Sequence, residues 1–80
     1  MIQLTVDRHD PEPAYRQVYL RLRAAILAGE LPPGTRLPPT RDLARAAGVA
    51  RVTIVPAYLT LGAEGFIESP VGAGTHVTAG

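Results

Sequence analysis

TRDLARAAGVARVTIVPAYLTLGAEG, residues 40–65, decides the fold. Leu43, Ala44 and Ala47 make the narrow apolar face of a short helix over Arg41 to Ala47, with Thr40 placed as its N-cap. Gly48 interrupts. It adopts positive φ without steric cost, so the chain can reverse sharply there, and Val49 supplies one apolar plug for the bend. A second helix runs from about Arg51 to Glu64 with Ile54, Ala57, Tyr58 and Leu61 as its inward stripe, and Gly65 ends it. A short helix, a four-residue turn containing glycine and a second helix make a helix-turn-helix.

The flanks complete the unit. Upstream, Pro13 suits a first helical turn, and Tyr15, Val18, Leu22, Ala25 and Ile26 form one stripe of a helix over Ala14 to Ala28, closed by Gly29. LPPG then sets a turn at Pro33-Gly34, and Thr35 to Leu37 is short and extended. Downstream, Phe66 to Ser69 reads as a strand, residues 70–74 as a glycine-rich tip, and Thr75 to Thr78 as the return strand. The expected fold class is mainly α with a small β-hairpin, a winged helix-turn-helix of three helices plus wing. Residues 1–10 make an N-terminal arm or short strand, and residues 11–80 the winged domain.

Composition narrows the function. Eighty residues make one domain with a small core, too little for an enclosed two-lobed active site. There is no cysteine, and His9 and His76 lack metal-ligand spacing. No paired carboxylates, Ser-His-Asp grouping or phosphate-cradling loop is present, so an enzyme is not expected. No apolar span reaches membrane length, and the first residues do not form a secretory signal, so a cytoplasmic location is the default expectation. The net charge is +1, but residues 36–51 carry Arg36, Arg41, Arg45 and Arg51 against Asp42 alone, a local +3. All eight basic residues are arginine. Clustered arginine is the footprint of a polyanion partner, or else a solvated helix face.

A recognition helix presents its N-terminal residues to base edges in the major groove. Here these are Ala50, Arg51, Val52 and Thr53. Arg51 suits guanine O6 and N7 or a phosphate, Thr53 suits either, and Val52 suits a thymine methyl. Arg41 is placed for the DNA backbone, and the helix starts near Thr40 and Arg51 offer amide groups to phosphate. Arg36 lies in the extended segment beside the wing. Gly72 and Gly74, almost without side-chain bulk, let the wing lie close to a groove or backbone, though a hairpin tip needs such residues anyway. Other residues read as structural. Tyr15 and Tyr58 are expected in the core and Tyr19 partly exposed. His9 is expected in an exposed turn and His76 in a structural or solvent-facing role, and Arg45 solvated or paired with Asp42 or Glu30.

The stretch from Leu37 through Val77, with LP before the second helix, Arg41, the GVAR turn, Thr53, AEG at residues 63–65 and GAGT at residues 72–75, resembles the DNA-binding domain of GntR-family bacterial transcription regulators. PAYRQVY at residues 13–19, the pair Ala57-Tyr58 and VGAGTHV at residues 71–77 look most like the MocR-type branch. The resemblance implies a homodimer on a double-stranded DNA operator of two half-sites, with contacts from Arg41, Arg51, Thr53 and Gly72. It implies a further C-terminal domain in the family; pyridoxal phosphate would belong to that domain, and no cofactor is expected on these residues. The 80 residues are then an excised domain or a free-standing relative.

Two residues depart from the pattern. Ala50 stands where Ser or Thr usually caps the recognition helix, a loss of about 0.5–2 kcal/mol. Pro56 falls near the sixth helical position, where proline costs about 3 kcal/mol or a kink. The helix can start late near Val55, kink and re-aim Arg51 and Thr53, or tolerate the proline with the affected carbonyl solvated, and a kinked or irregular first turn is expected. They open the alternative of a winged helix used for protein contact, with weak or no DNA binding.

Overall fold

The computed structural model describes residues 4–69 and 74–78. Three helices, α1 (Ala14–Leu27), α2 (Thr40–Ala47) and α3 (Arg51–Ala63), are followed by strands β1 (Ile67–Glu68) and β2 (His76–Val77). The strands pair antiparallel, Ile67 opposite Val77 and Glu68 opposite His76.

The bend between α2 and α3 is three residues long, Gly48–Ala50, one fewer than the sequence suggested. Gly48 takes φ 71°, a left-handed conformation that favours glycine. Its N–H donates to the Arg45 carbonyl and that of Val49 to the Ala44 carbonyl, so two of the four orphan carbonyls at the end of α2 are satisfied inside the turn. Thr40 is not the cap of α2. Pro39 occupies that position without a side-chain bond, and α2 begins at Thr40 itself. The fixed φ of proline suits a helix start, which frees the Thr40 hydroxyl for another partner.

Helix α3 packs on both α1 and α2. Ile54, Ala57, Tyr58 and Leu61 are its buried stripe, as the periodicity predicts, and they meet Val18, Leu22 and Leu43 in one core with Ile67 and Val77 from the hairpin. The connection between α1 and α2 contributes Leu31 and Leu37. On α1 the prediction for the tyrosines is reversed. Tyr19 is buried and Tyr15 is 46% exposed, because the buried row is Val18, Tyr19, Leu22 and Ala25. The Tyr19 hydroxyl donates to Glu64 just beyond α3, an anchor that draws its ring onto the core.

The extended segment after the Pro33-Gly34 turn also finds a partner. Gly34 N–H donates to Val77 O, Val77 N–H to Thr35 O and Leu37 N–H to Thr75 O, each at 2.9 Å. Arg36 therefore sits opposite His76, and β2 lies between β1 and this third extended piece. Residues 4–6 form no strand. Leu4 and Val6 lean on the core as an arm, and Gln17 holds it by exchanging hydrogen bonds with the backbone of Asp7 at 2.8 Å.

Pro56 does not disturb the start of α3. The helix is continuous from Arg51 to Ala63, and its first turn closes through Thr53 N–H to Ala50 O at 2.9 Å. The proline deprives the Val52 carbonyl of its usual donor. Val52 itself is 74% exposed, on the side of α3 away from the core.

Restoring that donor should stabilise the fold. Pro56→Ala is expected to add about 2 kcal/mol, the helix-interior gain less the looser unfolded chain, and to raise the thermal midpoint by roughly 10 °C in a circular-dichroism melt. A second expectation concerns Tyr58, whose hydroxyl donates to the Pro38 carbonyl at 2.6 Å and whose ionisation is pushed up to about 12 by burial. A phenol with a folded pKa above its unfolded value of about 10 favours the fold while protonated. Stability should therefore be insensitive to this group below pH 10 and fall as the pH rises from 10 toward 12. Urea midpoints across that range should show a shallower fall for Tyr58→Phe.

Candidate nucleic-acid interface

The start of α3 and the start of α2 are fastened together. Arg51 is the first residue of α3, and its Nε donates to the Thr40 hydroxyl at 3.2 Å. Thr40 thus serves as a positioning acceptor, and the outer guanidinium nitrogens of Arg51 are left to face solvent. Val52 projects outward beside it, while Thr53 is half-buried. Arg41, on the first turn of α2, has a side chain 76% exposed and only a loose contact of 4.0 Å with Asp42. The structure therefore brings Thr40, Arg41, Arg51, Val52 and Thr53 to one end of the helix-turn-helix.

Arg36 and Gly74 form a separate group at the hairpin. Gly74 has φ 72°, and a Cβ there would fall 3.2 Å from Arg36 Nη2. The Arg36 guanidinium thus lies across the Gly74 backbone, in space that any side chain would occupy. The functional expectation for Gly74 gains a structural reason: it admits an arginine. Gly72 lies outside the described residues.

Between α3 and the hairpin runs an open groove of about 670 Å³. Thr40 and Arg51 stand at it with Val55 and Leu59 of α3 and Ser69 and Thr75 of the hairpin. The Ser69 and Thr75 hydroxyls are 2.7 Å apart, a matched pair across the hairpin. Sequence reading passed over Val55, Leu59, Ser69 and Thr75. The seven-residue interval from Val52 to Leu59, two helical turns, was the available signal for the outer face of α3.

Charge separates the faces of the molecule. Arg16 pairs with Glu12 at 3.3 Å and Arg21 with Glu30 at 3.2 Å, while Arg23 lies 5.6 Å over the Phe66 ring. Glu68 is engaged by His76 at 3.2 Å, which gives that histidine the structural role expected of it. Among the described residues, Arg36, Arg45 and Arg51 have no carboxylate partner, so Arg45 pairs with neither Asp42 nor Glu30. Arg8 of the arm reaches the Gly48 carbonyl at 3.2 Å and closes over the bend. Arg8 and Arg23 also lack a carboxylate partner, so three of the five such arginines among the described residues lie on the segment from Arg36 to Arg51. Among the described residues no group of three or more His, Asp or Glu side chains is placed to hold a metal ion.

Three helices, an α2–α3 bend closed by glycine and a following hairpin define a winged helix-turn-helix. The chain belongs to the gntR family of bacterial regulatory proteins, whose family model matches residues 14–77. It is 51% identical over 74 residues to the probable rhizopine catabolism regulatory protein MocR of Rhizobium meliloti, covering 92% of this chain and 15% of that protein. It superposes on YtrA of Sulfolobus acidocaldarius, a GntR-family transcription factor, with TM-score 0.85 and 34% identity over 99% of this chain and 82% of that one. It also matches the AraR DNA-binding domain in complex with operator ORX1, at TM-score 0.82 and 30% identity over 98% of this chain and all of that one. The chain spans about one sixth of the MocR relative's length.

The Arg36–Gly74 packing has a direct test. Gly74→Ala should cost about 1–2 kcal/mol from the left-handed backbone alone, with a further loss if Arg36 cannot move aside. Chemical denaturation of this variant in the Arg36→Ala background should recover the steric part only.

Proposed function

We propose that this chain is the operator-reading domain of a bacterial transcription regulator, with the start of α3 in the major groove and the hairpin against the neighbouring backbone. The observation that carries the reading is the Arg51–Thr40 hydrogen bond. It fixes a guanidinium at the exposed start of a helix whose other face is locked in the core. Arg51 then reads guanine or binds phosphate, and Arg41 and Arg36 supply backbone contacts on either side. Thr53, half-buried behind Arg51, supports the turn and offers its hydroxyl. The AraR domain, which shares the fold, is seen with its operator, in agreement with this reading.

The working unit is proposed to be a homodimer on two half-sites, spaced by whole turns of the duplex. Such a regulator acts in the cytoplasm, and no described helix is long and apolar enough to cross a membrane. Pyridoxal phosphate, which a MocR-type relationship brings to mind, does not fit these residues. Every basic residue of the chain is arginine, so there is no lysine amine to form its Schiff base. The cofactor would be a matter for other parts of a longer protein.

Fluorescence anisotropy with duplex DNA across a salt series tests the reading. Affinity should fall linearly with salt on logarithmic axes, with a slope for about three to five phosphates neutralised. Arg51→Ala should weaken a preferred duplex by about 1–3 kcal/mol and narrow its advantage over scrambled sequence. Equal binding by the variant, or no binding at low salt, would overturn the proposal.

A further inference from the structure

The outer face of α3 carries an apolar row that the core does not use. Val52 is 74% exposed and Leu59 68% exposed, and Val55, half-buried, lies between them. Val52 and Leu59 are seven residues apart, two turns of helix, so they share a face. Polar side chains are scarce there. Thr60 spends its hydroxyl on the Pro56 carbonyl at 3.0 Å, and Arg51 gives its Nε to Thr40. The chain contains no asparagine, and its two glutamines, Gln3 and Gln17, precede α2. The side chains that read adenine through paired hydrogen bonds are thus missing from α3.

We infer that this row reads the C5-methyl groups of pyrimidines, which in unmodified DNA means thymine, over neighbouring base pairs. The inference rests on the DNA-binding reading above and adds what the domain discriminates. In the major groove the thymine methyl is the one apolar mark that separates bases, and an aliphatic side chain is its natural partner. The row rises about 10 Å along the helix.

The charge around the row argues for nucleic acid as its occupant. Arg51 stands at one end of the row, bonded to Thr40 of α2, with exposed Arg41 the next residue of that helix, and no carboxylate lies within α3. Area argues the same way. Three aliphatic side chains fall short of the roughly 800 Å² per partner that a stable protein interface buries, whereas contact with single methyl groups needs no more.

Thymine replaced by deoxyuridine loses only the methyl group and keeps its base pairing. The test begins by selecting a preferred duplex from a random-sequence library with the 80-residue chain. Each thymine is then replaced in turn, and affinity is read by anisotropy. One to three clustered replacements should weaken binding about fourfold each, the equivalent of burying one carbon group at ~0.8 kcal/mol. Cytosine placed at those positions should bind better when 5-methylated. Val52→Ala should lower affinity and erase the deoxyuridine penalty at one position, and Leu59→Ala at another. Both side chains are exposed and alanine is a good helix former, so the fold is retained, which far-UV circular dichroism checks.

If every deoxyuridine duplex binds as tightly as its parent while the parent outbinds scrambled DNA, the inference is wrong and the operator-reading function stands. If no duplex binds at low salt, both fall. Self-association in sedimentation that Leu59→Ala abolishes would then assign the face to a second copy of the chain.

Discussion

The exposed face of α3 is aimed by the burial of one stripe, Ile54, Ala57, Tyr58 and Leu61, against α1 and α2. Ile54 and Leu61 are wholly removed from solvent, each worth about 1.5–3 kcal/mol. The surface ion pairs contribute about 0–1 kcal/mol each at best. The core therefore sets the rotation of α3 about its own axis. A slip of one residue turns the helix by about 100°, which would bury Arg51 and expose the stripe. Tyr58 adds a polar lock on the same rotation, since its hydroxyl reaches the Pro38 carbonyl just before α2. The orientation of Arg51 and Val52 is thus a consequence of packing on the opposite side of the helix.

The hairpin is fixed by a different device. Two-residue strands alone give little stability. Here β2 is flanked on its second edge by the extended segment from Gly34 to Leu37, through three backbone bonds. Val77 and Leu37 turn into the core from these two neighbours. The connection between α1 and α2 is consequently structural, and it carries Arg36 with it to the base of the hairpin, where the open backbone of Gly74 receives the guanidinium. One loop joins the core, the sheet and the charged surface.

The helices and the bend were legible because their signals are local: apolar spacing for α1 to α3, glycine at the bend, and Gly29 and Gly65 after the helix ends. The inward stripe with Tyr58 followed from the same pattern, and the candidate site at the start of α3 is read from it as well. The exchange of Tyr15 for Tyr19 was not legible. Tyr15 fell on the predicted stripe and Tyr19 beside it, and the partner that holds Tyr19 is Glu64, 45 residues further along the chain. The pairing of Thr35 to Leu37 with β2 is non-local for the same reason. Thr40 carried the composition of a cap, but with Pro39 in that place its hydroxyl went to Arg51. Pro56 is expected from propensity to kink the first turn, and α3 is instead continuous from Arg51 to Ala63; Val52, whose carbonyl loses its donor, is an exposed residue.

Charge and apolarity then divide the work of recognition. A polyanion is attracted by the free arginines between positions 36 and 51, but phosphate contacts are the same on every sequence. On the proposed reading, discrimination would come from the few side chains that α3 offers on its outer side: one arginine, one half-buried threonine and an aliphatic row. Each such contact is worth a kcal/mol or so, which leaves a single domain of net charge +1 only modestly above non-specific binding, at about 10⁻⁴–10⁻⁶ M. Coupling two copies makes the second contact intramolecular, at an effective concentration near millimolar for a short tether, and small discriminations multiply across both half-sites. On the proposed homodimer, a fold this small would gain its selectivity through duplication, and the rigidity with which its core holds α3 would let two copies meet the duplex in register.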